Sequence, residues 1–382
     1  MSSTARRGIA VAGVIAMSTA ALAACGSSGG PVAGATQVSI KLTDKGCEPD
    51  VTTAPAGPVT FTVIGGSSAV TEAELMKRDR VLAEKENIAA GLTRTFSASL
   101  QPGTYTLYCK GGKGAERVDF IVTAALATNG AKATAAAALT QAGVDYATYV
   151  KSQTALLLTS TKTFTDAVRA GNVAAAKAAY PLARVYYERI EPVAESFGDL
   201  DPDIDARSGD VSDQSKWTGF HRIEKALWID NSTAGMTPMA NGLDDNVAKL
   251  NTLVQTLTFD SATIANGAGE LLDEVGKSKI TGEEENYSHI DLVDFVGNVD
   301  GSKAAFDALK PGLQQLKPDL ADKIQQRFDA LYAALAKYKT GSGPADYRNY
   351  SEVSSSERKS LAAAVDALAE PISTVAGIVV RG

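Results

Sequence analysis

The side chains with the most chemical promise in this chain are carboxylates and imidazoles at helical spacing. His221 and Glu224 stand three apart, and so do Glu188 and Glu191. Side chains three apart on a helix share a face, with Cβ atoms about 5–6 Å apart, so each pair could grip one cation. Asp199, Asp201, Asp203 and Asp205 alternate along a loop, and Glu283, Glu284 and Glu285 form a run shortly before His289. The chain has only two histidines, and both sit among acids. Mixed carboxylate and imidazole sets between bundle helices are a known way to hold iron. Oxygen-rich sets suit hard ions such as ferric iron, and zinc accepts the same ligands. Each motif alone is an ordinary feature of a solvated helix; their coincidence points to a metal.

A second set of donors lies upstream. Cys47 and Cys109, helped by Glu48, Glu72 or Glu74, could be thiolate ligands, or the two cysteines could form a disulfide; the residues leave both readings open. The run Pro-Gly-Thr-Tyr-x-x-x-Cys at 102–109 looks like the end of a cupredoxin. A blue-copper centre joins one thiolate to two imidazoles. No histidine precedes His221, so composition excludes such a centre built by this region alone.

Composition narrows the field further. The 382 residues include 37 Lys+Arg and 44 Asp+Glu, a formal charge of −7, which argues against a nucleic-acid partner. Three cysteines cannot staple a disulfide scaffold. No apolar run reaches the ~20 residues of a spanning helix. The sequence holds no nucleophile-and-base arrangement and no phosphate loop.

The N-terminus reads as an address. Arg6 and Arg7 precede an apolar stretch from Gly8 to Ala21, the order of a secretion signal. Leu22-Ala23-Ala24-Cys25 then matches a lipobox, which makes 1–24 a lipoprotein signal and Cys25 the lipidated residue. The other reading is an ordinary signal with a chance cysteine. The Gly/Ser tract that follows suits a flexible tether over 25–36. Cleavage would leave a charge of −9 and a protein working in an oxidising compartment.

Two kinds of element must position these side chains. From 37 to 123, short period-two stretches such as Val38–Leu42, Val59–Val63, Phe96–Leu100 and Val118–Val122 are broken by Pro/Gly turns, which predicts a small β sandwich. Residues 124–143 are rich in Ala, Thr and Gly and read as a linker. From 144 to 382 helical periodicity dominates, as in Ile324, Phe328, Leu331, Leu335 and Tyr338. Pro371, inside the last apolar stripe, predicts a kink or break. About 240 residues of this kind make one large bundle or two smaller ones.

Several runs resemble the EfeO family of secreted iron-uptake components. They include Thr-Asp-Lys-Gly-Cys-Glu-Pro at 43–49, Glu-Asn-Ile-Ala-Ala-Gly at 86–91 and Leu-Gln-Pro-Gly-Thr-Tyr at 100–105. Tyr-Glu-Arg-Ile-Glu-Pro at 187–192, Gly-Phe-His-Arg-Ile-Glu-Lys-Ala-Leu at 219–227 and Gly-Glu-Glu-Glu-Asn-Tyr-Ser-His at 282–289 complete the set. The resemblance implies an all-β cupredoxin-like sandwich followed by an all-α imelysin-like domain of tandem four-helix bundles. It implies iron, Fe3+ or Fe2+, captured outside the membrane and delivered to an EfeU-like permease, with an EfeB-like haem peroxidase as third partner. The metal ligands it implies are Glu188, Glu191, Asp205, His221, Glu224 and one residue of 283–285, preferably Glu284. In the sandwich it points to Cys47, Cys109 and an acid among Glu72 and Glu74, holding copper or a second iron and passing electrons. The lipobox departs from family members that are soluble in a periplasm and suggests a lipid anchor on the outer face of the cytoplasmic membrane. Two rival classes remain. His-x-x-Glu is also a zinc motif of peptidases, although the chain lacks a His-Glu-x-x-His helix. The alternative is a polysaccharide- or partner-binding module with purely structural acids.

Overall fold

A computed structural model describes residues 35–68, 71–78, 80–109, 117–124 and 133–380. The expected signal, Cys25 and nearly all of the tether lie outside the described residues. The period-two stretches become nine strands: β1 (Thr36–Thr43), β2 (Gly46–Pro49), β3 (Thr53–Pro55), β4 (Gly57–Gly65), β5 (Thr71–Lys77), β6 (Arg80–Ile88), β7 (Thr93–Leu100), β8 (Gly103–Tyr108) and β9 (Arg117–Thr123). They form one sheet of order β2-β1-β4-β7 and a second of order β3-β9-β8-β5-β6. In β1 the alternation is literal: Val38, Ile40 and Leu42 are buried while Lys41 is exposed. Such a pattern commits one face of each sheet to the core, because a one-residue slip would turn the whole apolar set to water. Phe61 of β4 lies opposite Phe96 of β7 in register, with ring centroids 4.9 Å apart, and meets Phe120 of β9 edge-on at 5.4 Å.

Cys47 of β2 and Cys109, just after β8, are bonded to each other, with Cα atoms 5.5 Å apart, and the bond ties the first sheet to the second. This corrects the expectation of a thiolate site. Sulfurs joined in a disulfide are not thiolates, so the copper or second-iron centre on Cys47, Cys109 and Glu72 or Glu74 loses its soft ligands.

The remainder is helical: α1 (Ala133–Arg169), α2 (Val173–Glu188), α3 (Leu200–Asp205), α4 (Gly219–Trp228), α5 (Thr237–Leu253), α6 (Ser261–Lys277), α7 (Asp291–Leu316), α8 (Pro318–Leu335), α9 (Ser355–Ile372) and α10 (Val375–Val379). The segment 124–143, expected as a spacer, supplies the first turns of α1, and its Ala135, Leu139 and Ala142 are buried. Alanine is the best helix former, so a low-complexity alanine tract is as much a helix as a linker. Pro318 opens α8 at its first position, where no amide donor is needed. α9 ends one residue after Pro371, as expected of a break. α1 packs on α2, α5 and α7, while α6 and α8 each pack on α7 and on α9. The tandem bundles therefore share α7 as a common wall, and a single apolar core runs through both. Ser355–Val379 is the one described stretch long and apolar enough to cross a bilayer, longer than the sequence reading allowed for. Its Leu361, Val365, Leu368 and Ile372 are buried in that core.

The two parts meet along β6. Lys85 is ion-paired with Glu270 and Asp273 of α6, the amide of Glu86 donates to Glu270 Oε1 at 3.2 Å, and Asn266 Nδ2 donates to the carbonyl of Ser97.

Candidate metal centre

The centre is assembled by two chain reversals. α3 ends on Asp205, and α4 begins at Gly219 with φ +83°. A Cβ on residue 219 would lie 2.2 Å from the carbonyl oxygen of Ile204. Only glycine permits both that backbone and that approach, and the approach sets His221, two residues on, against Asp205. The second reversal is the loop 282–290, opened by Gly282 at φ +89°. It carries Glu284 and Glu285 inward and is held by Glu224, whose Oε1 accepts the amides of Tyr287 (3.0 Å) and Ser288 (2.7 Å).

His221 is 1% exposed, and its two ring nitrogens have different surroundings. Nδ1 faces Glu224 Oε2 at 3.1 Å. Burial by itself would raise the Glu224 pKa, but hydrogen bonding and charge from His221, with the loop contacts, hold it below the ordinary carboxylate value. An ionised carboxylate has only acceptors, so Nδ1 carries the proton and donates it. In the neutral ring Nε2 then carries the lone pair. It is buried and has no hydrogen-bond partner. It points between Asp205 Oδ1 at 3.5 Å and Glu284 Oε1 at 3.9 Å. Ligand atoms about 2.0–2.2 Å from a tetrahedral metal stand about 3.3–3.6 Å apart. One donor atom each from Asp205, His221 and Glu284 lies within 4.8 Å of the others, and the same holds for His221, Glu224 and Glu285. Glu224 is occupied with the loop and the imidazole, which leaves the first triad as the candidate ligand set. A carboxylate that orients a metal-binding imidazole through its other nitrogen is a common supporting arrangement.

Around this triad lies a cage of buried charge. Arg184 of α2 is fully buried, bonds Asp205 and Glu188, and stands 2.9 Å from Glu285, 3.4 Å from Asp294 and 3.6 Å from Glu284. Lys279, 4% exposed, donates to Glu191 Oε1 at 2.6 Å and Glu188 Oε2 at 3.2 Å, and lies 3.6 Å from Glu284 Oε1. Asn298 of α7 donates to both Glu188 and Glu191. Gly297 makes room: a Cβ there would stand 2.4 Å from the Cβ of Glu188. Burial would raise Glu188, but Lys279 and Arg184 override it and hold it at about 2. Burial and the neighbouring Glu188 push Glu191 well up, and burial with Glu224 and Asp294 does the same to Glu285. Asp205 is raised to about 6 by burial, with Arg184 and His221 pulling the other way.

Asp205 and Glu284 also line a cleft of about 560 Å³ between the sandwich and the helices. Eleven of its lining side chains are carboxylates, against two cations, Arg207 and Lys279. Glu72, Glu84 and Glu86 form the sandwich wall. Burial and the facing carboxylates raise Glu86 to about 8 and push Glu84 well up.

The structure thus brings Asp205, His221, Glu224 and Glu284 together as expected, with Glu224 as a support. Glu188 and Glu191 belong to the same cage but are turned to Lys279, Asn298 and, for Glu188, Arg184. Glu72 lines the cleft, and Glu74 is buried in β5 opposite Glu84 and Tyr108. His289 is exposed and takes no part in either ligand group. Sequence reasoning missed Arg184, Lys279, Asp294 and Asn298. Arg184 and Glu188, four apart, and Asp294 and Asn298, four apart, carried a helical signal; Lys279 carried none.

A β sandwich followed by a helical bundle with a carboxylate–imidazole pocket defines a class, the imelysin-type proteins with a cupredoxin-like domain. The imelysin family model matches residues 142–375, and the cupredoxin-like domain model matches residues 9–122. The iron uptake system component EfeO of Escherichia coli K12 is 40% identical over 345 residues, covering 90% of this chain and 91% of that one. EfeO of Escherichia coli O6:H1 is 41% identical over the same spans, and that of Shigella flexneri 40%. The chain belongs to the EfeO family of iron uptake system components.

Proposed function

We propose that the chain captures an iron ion outside the cytoplasmic membrane at Asp205, His221 and Glu284 and passes it to an EfeU-like permease, with an EfeB-like haem peroxidase as a further partner. Family membership supports the role in iron uptake, and one observation supports the place: the buried, unbonded Nε2 of His221 between two carboxylates. A buried polar atom without a partner costs about 1–3 kcal/mol, which a bound cation would recover. Asp205 and Glu284 open onto the acidic cleft, so an ion has a path in and out, as cargo requires. Binding must expel the proton that burial favours on Asp205, raised to about 6, so the affinity falls as pH drops. Cys25 is proposed to anchor the chain to the membrane by lipid. An electron-transfer role for the sandwich would have to use groups other than Cys47 and Cys109.

The peptidase reading needs His221 and Glu224 as paired zinc ligands. Glu224 instead spends both oxygens on the loop amides and the imidazole. Calorimetric titration of ferric, ferrous, cupric and zinc ions, with a peptide-hydrolysis assay on the zinc form, tests both. Loss of iron binding in His221→Ala is expected; unchanged binding there defeats the proposal.

A further inference from the structure

Two cations are built into the carboxylate cage, and they are not alike. Arg184 is a rigid fork, fixed between Asp205, Glu188 and Glu285. Lys279 is a point charge on a flexible four-carbon stem, which can move without breaking a planar pattern of bonds. Its backbone is pinned from outside the cage. Gly282 donates to its carbonyl at 3.1 Å, Tyr350 donates its hydroxyl to the next carbonyl, of Ile280, and Arg358 donates to that of Thr281 at 3.2 Å. The turn therefore stays, and the ammonium stays with Glu188 and Glu191. That ammonium makes hydrogen bonds to Glu188 and Glu191 but only an electrostatic contact, at 3.6 Å, to Glu284 Oε1. The same oxygen lies 3.9 Å from His221 Nε2 and 3.6 Å from Arg184, while Arg207 donates to the other oxygen, Oε2, at 3.2 Å.

We propose that Lys279 is a built-in competing cation that sets the affinity of the centre, sharing the hold on Glu284 with Arg184 and Arg207 in the ion-free chain and ceding Oε1 to the ion on loading. The inference rests on Asp205, His221 and Glu284 being the ligands. Glu188 and Glu191 keep the ammonium throughout, so it remains a fixed positive charge beside the bound ion. Its repulsion grows with the charge of that ion, because Coulomb energy scales with the product of charges. Lys279 therefore penalises a trivalent ion more than a divalent one, and keeps a site rich in carboxylates from holding its cargo too tightly to release.

The test is competition titration of gallium(III) from citrate and of zinc(II) into the full chain, wild type, Lys279→Met and Lys279→Arg. Lys279→Met should bind zinc(II) at least tenfold more tightly and gallium(III) more tightly still by a further factor of at least three. Lys279→Arg, which keeps the charge, should show less than a third of either gain. Equal gains for both ions, or none, overturn the proposal, since a merely structural lysine would not distinguish ionic charge. Should Lys279→Met fail to fold, wild-type chain labelled with 15N-lysine decides. The Lys279 Nζ signal, assigned by its absence in Lys279→Arg, must shift on zinc loading, and an unmoved signal overturns the proposal. If His221→Ala binds as wild type does, the ligand assignment has failed, and this inference with it. If His221→Ala loses binding while Lys279→Met matches wild type, only the lysine role has failed.

Discussion

Glu224→Gln should silence the centre without removing a ligand. The glutamine keeps the shape of Glu224 but has one acceptor and one donor group in place of two acceptors. Oε1 now accepts two backbone amides, from Tyr287 at 3.0 Å and Ser288 at 2.7 Å. If the new amide group pointed its NH2 at those donors, two buried N–H groups would lose their acceptor, at about 1–3 kcal/mol each. The carbonyl must therefore stay there, and the NH2 must face His221 Nδ1. The imidazole then accepts at Nδ1 and carries its proton on Nε2, the atom that faces Asp205 and Glu284. To bind a cation the ring must shift that proton back and give up the new hydrogen bond. That leaves a buried donor unpaired and costs about 1.5–3 kcal/mol, or about 10–100-fold in affinity. Calorimetry of zinc and ferric ions gives the affinity, and the 15N shifts of the imidazoles give the tautomer. The second reading is unusually clean because the chain has only two histidines, and His289 is exposed and serves as reference. An affinity within twofold of wild type refutes the reasoning, as does a wild-type His221 protonated on Nε2 instead of Nδ1.

Arg184→Met strips the counter-charge from Glu188 and Asp205 and should lower the stability of the ion-free chain by about 3–5 kcal/mol in denaturant unfolding; a loss under about 1 kcal/mol would mean those two acids are not ionised together. Replacing Cys47 and Cys109 by serine opens a loop of separation 62 and should destabilise the sandwich by about 4 kcal/mol, while zinc affinity at the helical centre stays as it was. Glu86, raised to about 8 by burial and then by its acidic neighbours, binds a proton in the folded state that the unfolded chain releases near 4.5. The stability it affects is intact below about 4.5 and declines as pH rises through 8. Glu86→Gln should flatten that slope in melting curves taken from pH 5 to 9; a slope equal to wild type's would count against this origin.

What the sequence disclosed follows from range. The strands and the long helices announced themselves because alternation and 3.6-residue periodicity are local, and the same locality exposed His221 with Glu224 and Glu188 with Glu191. Spacing says that two side chains share a helix face, not which oxygen meets which partner. Glu224 therefore read as a ligand, although its role comes from amides 63 and 64 residues away. Arg184 and Lys279 went unnoticed, because their burial is produced by carboxylates up to 110 residues distant. The two cysteines could not be assigned until the sheets set their Cα atoms 5.5 Å apart. The start of α1 was misplaced for another reason: alanine-rich sequence is shared by spacers and helices, and only packing against the core decides between them.

The bond between Cys47 and Cys109 bears on how samples of this chain are prepared. A bond of this kind forms under oxidising conditions and is rarely kept in a reducing cytosol. Material folded there would carry two neighbouring free sulfhydryls, and thiolates bind copper(I) and zinc avidly. Such a batch would take up an extra soft ion per molecule at the wrong end of the chain, an artefact easily mistaken for a native copper centre, which mild oxidation before metal analysis would remove.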